Sequence, residues 1–569
     1  MRIKQNSLKT LIVLVIPISF LFFFFFIPLI NIFALAFGIL DEGTIFTLSP
    51  LLDVLTHPLN RYFLIWDIQQ ALLTTFLCLL IGIPGSYILA HYKFPFRNTI
   101  RNLLTIPFIL PPIVVLMGFI SVFGHGSLIN NFWKDLTGFR LIDIYNTNEG
   151  IILAHIFYNI PVIIRITEIG WRNVNPELIA VAKSLKASNW RIFRKIQFPQ
   201  LFPILAAASL LVFIYSFNSF AIVLVLGGVK FQTLEVRIFD YFWARFDYNA
   251  AAALTMIQLF INTLVIFLYL YFSNKYEIPT ERLAWKIENS LFHRPINLKS
   301  VLRTIFVGLY FAFVGIICVL PIVGVFFASF TSSDNAFTLL NYSKLLDRDI
   351  STFIGLPPHS MIANSLLFGL GVILIAPILA LLLNYGLNYE TTNKGRPKIT
   401  LFRSFSGIIV ILPLTVSSIT LAFSLFSIYR DTPVYENIAI VIIIAQTLIA
   451  FPFANRIIAA TRSNIDQTII NVARSLGVSR LGAFFKIELP LLLPGIVIAG
   501  LFSFAISIGE FGATYFLSKT NFATIPVGIY RLVATRNIGP AAAFASLLVI
   551  ITVGSFMIIE RVGKVDFRI

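Results

Sequence analysis

The sequence predicts an all-α polytopic membrane protein of about twelve transmembrane helices, set out as two parallel six-span repeats, each with a cytoplasmic helix-turn-helix segment. Three observations predict it. Of 569 residues, 58% are hydrophobic and only 12% charged, well under the roughly 25% charge of soluble domains, and mean hydropathy is +0.88. Apolar runs of about 20 residues, enough to cross the hydrocarbon, recur along the chain. Residues 161–203 also return at 452–494 without a gap, 16 of 43 positions being identical.

In order, Arg2, Lys4 and Lys9 precede an apolar run from Leu11 to Phe37. That run is too long for the 7–15-residue core of a signal peptide and reads as an uncleaved first span. A polar stretch reaches Trp66, and spans follow at about 68–91, 103–123, 150–169, 204–226 and 249–272. Residues 273–303 form a charged cytoplasmic linker. The second half repeats the pattern at about 304–330, 360–385, 405–428, 437–458, 495–517 and 540–559. The expected domains are therefore 1–272, with a core unit about 68–272, and 304–569, with a core unit about 360–560. Pro84 with Pro377, and Pro161 with Pro452, stand at matched places and predict kinked spans.

Orientation follows from the basic residues. With the N-terminus in the cytoplasm, inner loops and tails hold 31 of the 43 Lys and Arg, as the positive-inside rule requires. Both termini and both repeated segments then face the cytoplasm of a cell (plasma or inner) membrane, and the basic net charge of +17 marks orientation rather than nucleic-acid binding. Cys78 and Cys318 lie inside apolar runs and the six histidines show no ligand spacing, so no disulfide and no metal site is expected.

The repeated segment carries chemistry of its own. Leu178, Val181, Ala182 and Leu185, and then Ile469, Val472, Ala473 and Leu476, fall at i, i+3, i+4 and i+7, one face of a short helix. Glu177 opens the first copy, and Lys186 or Gly477 follows the face before a second amphipathic piece ending at Pro199 or Pro490. The paired segments resemble the coupling loops of integral membrane subunits of ATP-binding-cassette importers of the binding-protein-dependent type, whose pattern is roughly E-A-A, three residues, G, nine residues, I-x-L-P. Ile487 and Pro490 stand ten and thirteen residues after Gly477, and Ile196 and Pro199 at the same distances from Lys186. The acidic residue of the triplet is missing from both copies, Ala180 and Asn471 replacing it, and the glycine is Lys186 in the first. A less regular turn at Lys186, and docking loops of unequal strength, are the expectation.

The resemblance implies a permease that lends the pathway and leaves ATP to others. A cytoplasmic ATPase dimer would grip one loop in each of two grooves, and a separate extracytoplasmic binding protein would deliver a small-molecule or ion solute. No G-x-x-x-x-G-K-[ST] loop occurs in the chain, so ATP would be bound by the partner and the chain itself is no enzyme and carries no cofactor. The segments 216–228 and 507–519, with Thr233-Leu234-Glu235, resemble the fused twelve-span permeases for thiamine and for ferric iron. Asn218, Ser219 and Glu510 are pathway candidates, Glu510 being an acid inside a span, where ionisable groups are costly and either functional or bonded to a neighbouring helix. A twelve-span secondary transporter driven by an ion gradient remains the alternative, since it too is built from parallel halves.

Overall fold

The computed structural model describes residues 13–39, 46–104, 107, 110–125, 127–140, 143–274, 289–290, 298–332, 336–389, 412–518 and 520–563. The first half supplies α1 (Val13–Ala36), α2 (Pro58–His91), α3 (Pro112–Phe123), α4 (Asn148–Arg172), α5 (Pro176–Ser184), α6 (Asn189–Phe217), α7 (Ala221–Leu226), α8 (Leu234–Trp243) and α9 (Tyr248–Asn274). The second supplies α10 (Leu298–Ser329), α11 (Pro358–Tyr389), α12 (Ser418–Tyr429), α13 (Ile438–Ser463), α14 (Gln467–Ser475), α15 (Leu481–Gly509), α16 (Gly512–Leu517), α17 (Ile525–Ala534) and α18 (Ile538–Gly563). Each helix of the second series answers the one nine places earlier.

Ten of these helices are long and apolar enough to cross a membrane: α1, α2, α4, α6, α9, α10, α11, α13, α15 and α18. The two other expected spans, at 103–123 and 405–428, differ. Each is represented by a 12-residue helix, α3 and α12. The cause is the matched Leu110-Pro111 and Leu412-Pro413. Proline lacks the N–H that a helix needs and bars the residue before it from helical angles. Pro111 is extended at ψ 141, and Leu412–Thr415 form a single tight 3-10 turn. Residues 405–411, most of the linker and both chain ends lie outside the described residues.

Packing divides the chain into two compact units that interleave along it. One draws on the ranges 52–240 and 257–328, the other on 1–51, 241–256 and 329–568. In the first unit, α2, α4 and α6 share a core of Cys78, Leu89, Ile160, Ile163, Ile164, Ala208 and Val212, which Val307, Phe311, Val314 and Cys318 of α10 complete. Tyr310 of α10 donates to the Ile81 carbonyl at 2.7 Å. In the second unit, α1 lies on α12: Asn31 donates to Ser427 Oγ at 2.9 Å and Tyr429 to the Phe23 carbonyl at 2.7 Å. The opening helix of each sequence half thus packs in the unit built around the other half's core. Hydropathy specifies that α1 and α10 are apolar; side-chain shape and a few hydrogen bonds specify their neighbours.

Candidate functional site

The two loop helices are built from the same parts. Asn175 Oδ1 caps α5 by accepting from the Glu177 N–H at 2.8 Å, and Asp466 Oδ1 caps α14 by accepting from the Thr468 N–H at 2.8 Å. Such caps satisfy one of the four orphan donors of a helix start. The Thr468 side chain and N–H both donate to Asp466, which holds its carboxyl below the ordinary aspartate range. Ser188 and Ser479 then cap the second pieces, accepting from the N–H groups of Arg191 and Gly482.

The turn between the pieces corrects one expectation. Lys186 does not disturb it. Lys186 takes φ +55 and Gly477 φ +88, both left-handed. Lys186 N–H bonds the Lys183 carbonyl at 2.9 Å and Ala187 N–H the Ala182 carbonyl at 3.0 Å; the matching Gly477 to Arg474 and Val478 to Ala473 bonds are both 3.1 Å. Two satisfied helix-end carbonyls outweigh the roughly 1–2 kcal/mol that a side chain costs in this conformation. The two loops are equal in geometry, and the lysine bears the strain that glycine avoids.

Their apolar faces are bare. Leu178, Val181 and Leu185 are 48%, 57% and 77% exposed, and Ile469, Val472 and Leu476 are 49%, 52% and 80%. Ala473 is buried beneath its helix, Ala182 is half-buried, and Glu177 and Lys186 are exposed. Leu178, Val181 and Leu185 match Ile469, Val472 and Leu476 in exposure, so the faces present the same apolar ridge.

The pathway candidates lie apart, at the breaks that follow α6 and α15. Asn218 Oδ1 accepts from Gln258 Nε2 at 3.0 Å and from Asn262 Nδ2 at 3.1 Å, while the buried Ser219 offers its carbonyl to Thr233 Oγ1 at 2.8 Å. Glu510 is buried and caps α16. Its Oε1 accepts from the Ala513 N–H at 2.7 Å, and its Oε2 from the Thr514 N–H at 2.9 Å and the Thr514 hydroxyl at 2.6 Å. Gln446 extends this set, donating to Thr514 Oγ1 at 2.9 Å and accepting from Ser507 Oγ at 2.5 Å.

Glu510 is one of several buried acids. Asp67 and Glu235 are fully buried in the unit that holds α2 and α4. Asp67 Oδ2 accepts from the Leu234 N–H at 2.9 Å, capping α8, and its Oδ1 accepts from Gln70 Nε2 at 3.0 Å. Gln70 Nε2 also reaches the Ser216 carbonyl at 2.9 Å, and Gln70 Oε1 accepts from His155 Nδ1 at 3.0 Å. Asn159 donates to Ser216 Oγ at 3.2 Å, and Glu235 accepts from Gln258 at 2.9 Å. This polar seam had a legible signal. Asp67, Gln70 and Thr74 fall at i, i+3 and i+7, and His155 and Asn159 at i and i+4, two stripes at helical spacing on helices otherwise apolar.

The family described as Binding-protein-dependent transport system inner membrane component matches residues 82–278 and 394–564. The Thiamine transport system permease protein ThiP of Haemophilus influenzae is 26% identical over 544 residues, covering 94% of this chain and 93% of that protein. The protein of the same description from Brucella abortus is 27% identical over 504 residues, 88% and 86% of the two chains. The Ferric transport system permease protein FbpB of Actinobacillus pleuropneumoniae is 26% identical over 457 residues, 78% of this chain and 63% of its own length.

Proposed function

The chain belongs to the family of binding-protein-dependent transport system inner membrane components, matched twice along its length, and from that premise we propose that it forms the translocation pathway of an ATP-driven thiamine importer. In this reading α5 and α14 dock in the two grooves of a cytoplasmic ATPase dimer, and both chain ends face the cytoplasm. The ATPase binds and hydrolyses ATP, and its closure moves the two halves between inward- and outward-open states. A binding protein outside the membrane delivers the solute.

The observation that carries the reading is the pair of bare apolar ridges. Covering three such side chains is worth roughly 1.5–3 kcal/mol each, and no covering partner lies within either loop. Two equal ridges suit a symmetric partner. A gradient-driven carrier would leave them without a role. Thiamine is preferred to ferric iron because the Haemophilus relative named for thiamine aligns over 94% of this chain and 93% of its own length, against 78% and 63% for the ferric one.

The test is uptake into proteoliposomes holding the chain, its ATPase subunits and its binding protein. ATP-dependent thiamine accumulation is expected, and Val181→Asp or Val472→Asp should each lower it more than about tenfold by burying a charge in the docking groove. Accumulation that proceeds without ATP would sink the mechanism. Iron accumulation in place of thiamine would move the substrate and leave the mechanism standing.

A further inference from the structure

Away from the loops and the polar seam, a cavity of about 530 Å³ opens in the unit that holds α1 and α12, where the end of α1, the junction of α8 and α9 and the end of α12 meet. It lies at the membrane face opposite α14, because α13, long enough to cross a membrane, runs from the end of α12 to the start of α14. The volume suits one small molecule. One wall is a nest of packed rings. Phe242, 2% exposed, holds its ring centroid 4.8 Å from Phe426, 5.1 Å from Tyr248 and 5.3 Å from Phe423, and all four line the cavity. Phe246 stands apart on the rim, 66% exposed and, among the described residues, in contact with no other ring.

The backbone of Phe246 takes φ +55 where α8 ends, the Asp247 N–H reaching back to the Tyr241 carbonyl at 3.0 Å and satisfying a helix-end acceptor. At the matched place in the second half the turn is one residue shorter: Arg536 takes φ +61 and the Asn537 N–H bonds the Leu532 carbonyl at 2.8 Å. Such a turn asks for no aromatic residue. A large ring held bare beside a cavity at a strained backbone angle points to a ring it meets only on binding. Two polar groups of the cavity offer acceptors. Asp247 Oδ1 accepts from the Ala250 N–H at 2.9 Å, and its Oδ2 has no partner among the described residues. Asn31 gives its amide N–H to Ser427 Oγ, which leaves its carbonyl to accept. Arg430 is spent on Asp431 at 3.0 Å and lies 5.5 Å over the Tyr248 ring, a ring face that already holds a cation.

We infer that this cavity binds a flat organic cation, its ring between Phe246 and the Phe242 wall, its charge and N–H donors met by Asp247 and Asn31, and Arg430 swinging off Tyr248 to admit it. Thiamine, with a cationic thiazolium ring and an aminopyrimidine, is of this class. The inference therefore rests on the importer reading and deepens it. The cavity is where solute released by the binding protein first rests on the chain.

The test is titration calorimetry on the full chain in nanodiscs, with thiamine as the cation and thiochrome, its uncharged ring-closed form, as the control. Thiamine is expected to bind about tenfold tighter than thiochrome. Phe246→Ala should weaken thiamine about tenfold, and Asp247→Asn, which keeps a side-chain cap for α9, about fivefold. Arg430→Gln clears a competing cation from Tyr248 and should tighten thiamine about threefold. A gain in that variant beside losses in the other two is a pattern that misfolding does not produce. No thiamine binding, thiochrome bound as tightly as thiamine, or thiamine bound equally by the wild type and all three variants would overturn the site. ATP-driven uptake in proteoliposomes separates the two readings. Uptake with binding that ignores the variants keeps the importer and removes the cavity; binding that follows the variants without uptake keeps the cavity and removes the importer.

Discussion

In the first half, the carboxylate of Asp67 on α2 caps α8, and Ser219 stands before α7 at the place that matches Glu510. In the second, the hydroxyl of Ser365 on α11 takes the corresponding place, donated to by the Ile525 N–H at 2.9 Å, and the carboxylate has moved to Glu510, capping α16. The skeleton is common and the acid is not. Within lipid every helix start must find acceptors for its free N–H groups. Either of two neighbouring starts can take the strong acceptor, and each half has taken a different one. The same skeleton therefore places its buried acids at different helix starts in its two copies, while the two loop helices keep the same caps and turn bonds.

The sharpest break in this comparison is Glu510→Ala. It leaves the Ala513 and Thr514 N–H groups buried without their acceptor, and should cost about 2–4 kcal/mol. Thermal unfolding of the purified chain in detergent would read it, and a loss under about 0.5 kcal/mol would mean that water already serves those groups. Gly477→Val comes next, forcing a β-branched residue to φ +88 at a cost near 1–2 kcal/mol to the α14 turn. Hydrogen exchange at Val478 would report it, along with reduced uptake in the reconstituted system.

Lys186→Gly works in the other direction. Because Lys186 already makes the two turn bonds under strain, glycine should slow exchange at Ala187, a gain of about 0.5–1 kcal/mol offset partly by unfolded-state entropy. Faster exchange there would show that the lysine side chain contributes to the turn. The smallest effect separates the caps. The Asp466 pKa is lowered by folding, so its contribution is complete above the ordinary aspartate value and is lost as pH falls through the lowered one. Asn175 does not titrate. Protection of α14 should therefore weaken in acid while α5 is unaffected, and Asp466→Asn should abolish the difference.

Much of this was legible in the chain. The loop helices could be read because four apolar positions at helical spacing occur twice with the same following prolines, and the spans because length and hydropathy suffice to find them. Three things could not be read in that way. Asp67 stands one residue before the apolar run starting at Ile68, where hydropathy begins the span, although α2 begins ten residues earlier, at Pro58. Two runs of apolar residues hid the breaks before α3 and α12, since hydropathy does not register a missing N–H. The exchange of α1 and α10 was invisible because an apolar helix announces that it will be covered, not by what.

One matched feature bears on the history of the chain. A five-residue π-helical turn interrupts α6 at Phe193–Gln197 and α15 at Phe484–Glu488, 291 residues apart, the same interval that relates the two loop helices. A π turn adds a residue to a helical turn and advances everything beyond it by about 100° around the axis. Two independent insertions at one site, each followed by a proline, would be a double coincidence. The widened turn was therefore present in a single six-span ancestor, and the tandem duplication that lengthened the gene copied it, before Lys186 and Gly477 diverged.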